Sequence, residues 1–199
     1  MRTYDVIHTI GKPDWNAVPI APIDHHLWSD VRSIVPQAQV AWDENALYVR
    51  LSVKEENISR RHTGPLAPVY LDSCLEFFFS PTGDDRYFNF EFNPNGAFYA
   101  GFGKPDVMRY RLQESYLPET LQVVPFELPD GWGVEFTVPV SFVQIFAPDF
   151  CLSSGKALQG NFYKCGDETV QPHFIAWNPV EHPQPCFHLP QFFGMLSLK

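Results

Sequence analysis

The stretch from Asp72 to Gly96 reads DSCLEFFFSPTGDDRYFNFEFNPNG, and its alternation decides the fold. In an extended chain every second residue shares a face, so Cys74, Glu76 and Phe78 stand opposite Leu75, Phe77 and Phe79. The period resumes after Tyr87, with Phe88, Phe90 and Phe92 on one side and Asn89, Glu91 and Asn93 on the other. Pro81-Thr82-Gly83 and Pro94-Asn95-Gly96 carry turn chemistry. Two neighbouring strands therefore follow, one face aromatic and one polar. Glu76 is set within a strongly apolar strand.

The same grammar extends outward. Upstream, AWDENALYVRLSV (residues 41–53) alternates Leu47, Val49, Leu51 and Val53 with Tyr48, Arg50 and Ser52, after a turn at Asp43-Glu44-Asn45. Downstream, LQVVPFELPDGWGVEFTVPV (residues 121–140) gives two strands around Pro129-Asp130-Gly131, and SFVQIF after it is one helical turn. ALQGNFYKC, HFIAWN and GMLSLK supply three more strands, separated by a loop with Pro179, Pro183, Pro185 and Pro190. About nine to eleven short strands at this spacing predict an all-β fold with little helix: an antiparallel two-sheet β-sandwich, jelly-roll-like, forming one domain over residues 1–199. Asp24 to Ile34 is the one candidate for a short helix.

Composition narrows the function. The 199 residues are 45% hydrophobic, 16% aromatic and only 19% charged, which excludes a disordered polyelectrolyte or a coiled coil. A net charge of −9 repels phosphate backbones and anionic lipid surfaces, so neither nucleic acid nor membrane is an expected partner. No apolar run reaches the ~20 residues of a membrane span, and the amino terminus lacks the pattern of a secretion signal. The expected location is cytoplasmic as given, or extracytoplasmic if the precursor is longer. Cys74, Cys151, Cys165 and Cys186 form no C-x-x-C pair and read as reduced thiols. His173, His182 and His188 also lack metal-ligand spacing, so no residue is assigned to a metal. Asp43, Glu44, Glu55 and Glu56 are either a solvated edge or a calcium cluster at a strand end.

The polar face is the informative feature. Glu76, Asn89, Glu91 and Asn93 would project carboxylates and amides from one sheet surface, where they can bond several hydroxyls together. A saccharide presents such hydroxyls at its rim and apolar C–H faces above and below, so its site adds a flat aromatic platform. Trp177, at the end of a short strand before a proline loop, is the leading platform, the alternative being a core tryptophan. Two other functions compete: a glycoside hydrolase using Glu76 and Glu91, and a protein-interaction sandwich.

Three segments taken together, AWDENALYVRLSV, DSCLEFFFSP with YFNFEFNPNG, and NFYKCGDE with IAWNP and a terminal FFGMLSL, resemble the family 9 carbohydrate-binding modules over roughly residues 37 to 198. The resemblance implies a non-catalytic β-sandwich that binds the ends of glucose- or xylose-type mono- or oligosaccharides and accompanies glycoside hydrolases. It implies a ring clamped between two tryptophans, with Trp177 as one wall and Glu76 as the acidic partner. The second wall belongs just before Asp72-Ser73, where this chain has Val69-Tyr70. Arg86 and Arg109 are candidates for the family's sugar-binding arginine, with Asn89 in the corresponding strand. The resemblance implies structural calcium and no other cofactor. The oligomeric state is left open.

Overall fold

The structure is a computed structural model that describes residues 1–64, 66–105, 107, 109–112 and 117–199. In chain order the strands are β1 (Thr3–His8), β2 (Ala21–Pro22), β3 (His25–Leu27), β4 (Val35–Trp42), β5 (Ala46–Lys54), β6 (Cys74–Ser80), β7 (Tyr87–Phe92), β8 (Phe98–Gly103), β9 (Tyr110–Arg111), β10 (Val124–Leu128), β11 (Gly131–Pro139), β12 (Ala157–Gly166), β13 (His173–Ala176) and β14 (Gly194–Leu198). Two short helices, α1 (Leu117–Leu121) and α2 (Val140–Val143), and two single 3-10 turns complete the described chain.

Local chemistry sets the hairpins. Asp43 Oδ1 accepts the backbone N–H groups of Asn45 and Ala46 at 2.8 and 2.9 Å, closing the turn between β4 and β5. Asn93 Oδ1 does the same for Asn95 and Ala97 between β7 and β8, where Gly96 takes φ +73°. The strands form one strongly curled mixed sheet in the order β10-β11-β5-β4-β1-β14-β12-β6-β7-β8-β9, with β2 beside β4, β13 beside β12 and β3 beside β13. Strands far apart in that order touch through their aromatic rings. Phe136 of β11 lies 4.6 Å from Phe92 and 5.9 Å from Phe90 of β7. The sheet therefore curls over itself around one core, in which Leu47, Val49, Leu51 and Val53 meet Leu75, Phe77, Phe79, Phe88, Phe90 and Phe92.

The all-β class and scarcity of helix agree with the sequence reading, and three details differ. The described residues form fourteen strands, the additional ones including β1, β2, β3 and the two-residue β9. The sheet is not wholly antiparallel: β1 runs parallel to β14 through Thr3–Val6 and parallel to β4 through Ile7–His8. Parallel neighbours need a long connection, and here nearly the whole chain separates β1 from β14, a pairing that local alternation cannot announce. The Asp24–Ile34 segment is not a helix; His25–Leu27 pairs as β3 with the free edge of β13, which satisfies its backbone groups. Among the described residues no helix is long and apolar enough to cross a membrane.

Candidate binding site

Behind the core face, the sheet of β8, β7, β6, β12 and β13 has a second surface, and it does not face water. Two loop segments cover it, building a smaller cluster of Val69, Cys74, Phe78, Tyr87, Tyr163, Cys165, Val180, Phe187 and Phe193. Asp72 fastens the first segment. Its carboxylate accepts Ser59 Oγ at 2.8 Å, Arg61 Nε at 3.2 Å, the His62 N–H at 2.9 Å and Asn93 Nδ2 at 3.0 Å, and these bonds hold its pKa well below the usual carboxylate range despite burial. The 3-10 turn Val69–Leu71 then docks on the end of β12, where the Asp167 N–H donates to Tyr70 O at 3.0 Å. The second segment is pinned by Trp28, whose indole N–H donates to His182 O at 2.6 Å, and by Phe187 stacked on Tyr163 at 4.2 Å.

Between these segments lie two adjoining recesses of about 540 and 270 Å³, within the range of small-ligand sites. Both are lined by Tyr70, Glu91, Cys186 and His188; the larger adds Tyr99, Arg109 and Arg111, the smaller Glu76, Cys165, Asp167 and Phe187. Tyr70 is 43% exposed and stands as a wall of both. At the floor, Glu76 and Glu91 face each other directly across the β6–β7 pair. Burial, then Glu91, raises Glu76 well above the ordinary glutamate pKa, and burial pushes Glu91 up to about 7. Two such carboxyls side by side cannot both ionise cheaply, so the pair retains a proton at neutral pH and offers donor as well as acceptor.

Asn89 lies fully buried behind the floor and supports it. Its Nδ2 donates to Glu91 Oε1 at 2.8 Å, and its Oδ1 accepts Arg109 Nη2 at 2.5 Å. Gly101 of β8 lies opposite, where a Cβ would sit 2.7 Å from Asn89 Oδ1, so glycine leaves the amide its place. Arg109 also donates to Gly103 O and Tyr87 O and lies 4.1 Å above the Tyr87 ring.

Of the residues predicted from sequence, Glu76, Asn89, Glu91 and Tyr70 come together here. The others do not. Trp177 is 3% exposed, packs edge-on to Phe162 at 5.5 Å, and closes against Gly194, where a Cβ would meet its ring at 2.4 Å; it is a core residue and offers no platform. Arg86 pairs with Asp84 at 2.9 Å and lines a separate recess with Ser80 and Phe150. Asn93 is buried and serves Asp72 and the His62 carbonyl. Of the two candidate arginines, Arg109 is the one that lines the cleft, beside Arg111. Cys165, Asp167 and His188 are cleft residues that the sequence does not assign to a sugar site; for Cys165 the signal is the alternation along NFYKC, which puts it on one face with Tyr163.

The acidic group Asp43, Glu44, Glu55 and Glu56 does not converge. The first two precede β5 and the last two follow it, at opposite ends of a nine-residue strand, which spans roughly 30 Å. Asp43 caps its turn, while Glu55 is buried against Ser73 Oγ (2.8 Å), Trp132 Nε1 (3.1 Å) and Lys164 Nζ (3.3 Å). These four residues do not fit a shared calcium ion.

Over its full length the chain is similar to the crystal structure of a proposed carbohydrate-binding protein from Bacteroides uniformis ATCC 8492, with 29% identity, TM-score 0.88, and 99% of that chain covered. It is also similar to a family 9 carbohydrate-binding module from Caldicellulosiruptor kristjanssonii, solved with cellotriose (17% identity, TM-score 0.71, 100% of this chain and 94% of that chain) and with glucose (17%, 0.70, 100% and 96%). No functionally curated protein matches it. A family profile matches residues 12–198, nearly the whole length, and the chain thus belongs to carbohydrate-binding family 9.

Proposed function

We propose that the protein binds a glucose- or xylose-type mono- or oligosaccharide, without cleaving it, in the cleft between Tyr70 and the Glu76–Glu91 floor. The observation that carries the reading is a pair of facing carboxyls lying under an aromatic wall in a recess of saccharide size. Hydroxyls of a sugar both donate and accept, and Glu76, Glu91 and Arg109, which line the cleft, offer both. Tyr70 supplies the stacking face that the sequence reading gave to Trp177, with Tyr99 and Phe187 bordering the same space. Relatives support the ligand class, since the Caldicellulosiruptor module was solved with glucose and with cellotriose. The curled sheet is read as the family's two-layer sandwich, its outer face carrying the site.

Binding is favoured over hydrolysis by the placement of the carboxyls. Neighbours in register on one sheet face approach a sugar from the same side, whereas a glycosidase needs its acid and its nucleophile or base disposed around the scissile bond. Calorimetric titration with glucose, xylose and their short oligomers tests this reading. Saturable binding that weakens ~10-fold or more in Tyr70→Ala, as loss of one stacked ring predicts, supports it. Release of reducing sugar by the wild type that is lost in Glu76→Gln would favour the hydrolase, and no response to any saccharide would favour the interaction module.

A further inference from the structure

Nothing in saccharide recognition calls for two buried thiols, yet Cys165 lines the smaller recess and Cys74 lies buried beside it. Cys74 of β6 and Cys165 of β12 are directly opposite in the strand register, both free and buried. Cys165 Sγ lies 3.0 Å from Glu76 Oε1, and the ligand atoms of Cys74, Cys165 and Glu76 are all within 4.8 Å of one another. We propose that these three residues form a binding site for a thiophilic divalent cation, with Zn²⁺ as the biological case.

The donor chemistry selects the metal. Two sulfurs and one carboxylate oxygen are a soft, mixed set suited to Zn²⁺ and foreign to calcium, which takes oxygen ligands. Zn–S bonds of about 2.3 Å and Zn–O bonds of about 2.0 Å place tetrahedral donors roughly 3.5–3.8 Å apart, so the Cys165–Glu76 contact at 3.0 Å must open by about half an ångström while the wider separations, up to 4.8 Å, close by about 1 Å. Access exists, because the smaller recess is lined by Glu76 and Cys165 together with Glu91 and Asp167. The dication offsets most of the cluster's charge: two thiolates, one carboxylate and the ion sum to −1, and Lys164, the residue before Cys165 and already paired with Glu55, is buried close enough to act electrostatically on both Cys74 and Glu76. Binding displaces the two thiol protons and any proton on Glu76 to the buffer, with no redox change. Sequence spacing conceals the set, since strand pairing brings β6 to β12 across most of the chain.

The test is titration of the reduced full-length protein with Cd²⁺, following the thiolate-to-cadmium charge-transfer band, and with Zn²⁺ by calorimetry in two buffers of different ionisation enthalpy. The proposal predicts one site per chain, proton release, and a band lost in both Cys74→Ser and Cys165→Ser but retained in the Cys151→Ser/Cys186→Ser double variant. Glu76→Gln, which keeps both thiols, should weaken Zn²⁺ by ~10-fold or more. Since a buried Cys→Ser change can disturb folding, X-ray absorption of the Zn²⁺-loaded wild type reads the ligand set directly: two sulfurs are expected. A shell without two sulfurs, or a band that survives both single substitutions, overturns the assignment.

Discussion

At the scale of single residues, of the two aromatics that sequence places at the site, Tyr70 lines the cleft and Trp177 lies in the core on the other side of the sheet. Trp177 fills core space beside Phe162 and Gly194, so Trp177→Ala should cost about 3–5 kcal/mol, read as a drop in the denaturation midpoint. Tyr70, 43% exposed, carries little packing, and Tyr70→Ala should leave stability within about 1 kcal/mol while saccharide affinity falls. A tolerated Trp177→Ala with lost binding would reverse this assignment. The period-2 pattern already held the signal. In HFIAW, Trp177 shares a face with the core residue Ile175, while Phe174 shares one with Ala176 on the cleft side. What spacing does not show is that loops from elsewhere cover the polar face, burying Glu76, Asn89 and Glu91 there.

Elements position the proposed site through Asp72. This one carboxylate ties Ser59, Arg61 and His62 to Asn93 and so fixes the approach to the 3-10 turn that bears Tyr70. Asp72→Ala removes an acceptor of buried Asn93 Nδ2 and of the half-buried Ser59 and His62 donors and should destabilise by about 1–3 kcal/mol. It should weaken saccharide binding as well, by freeing the wall, although Asp72 lines neither recess of the cleft; denaturation and titration of the same variant check both. An unchanged midpoint would show that these bonds carry no net stability. The Asp72-Ser73 motif was visible in sequence. Its anchoring role was not, because the partners Ser59 to His62 are held by a loop without periodicity.

For the whole molecule, acid sensitivity is a consequence of the buried polar centre at the end of the core. His173 is neutral there: its Nε2 accepts Lys164 Nζ at 2.6 Å, its Nδ1 donates to Gln171 O at 2.8 Å, and Glu55 and His26 lie nearby. Burial, then Lys164, lowers its pKa to about 4. The unfolded chain takes up this proton near pH 6.5, so the contribution to stability is intact above that value and lost as pH falls toward 4. A His173→Gln variant should therefore show a shallower decline, the difference from wild type reaching about 2–3 kcal/mol across the window; the carboxylate contributions, including the opposite slope of Glu91, cancel in that difference. Parallel curves for the two proteins would contradict a buried neutral histidine. At this scale the strand-rich architecture was legible from alternation and turns, and the parallel insertion of β1 was not, since its partners come from the middle and the far end of the chain.

The central claim is that a saccharide sits between Tyr70 and the Glu76–Glu91 floor. A crystal structure of the protein grown with a saturating glucose- or xylose-type oligosaccharide tests it most directly. A sugar ring lying against the Tyr70 face, with hydroxyls bonded to Glu76 or Glu91, is the expected result. A ring bound in the recess beside Arg86, or anywhere outside this cleft, would contradict it.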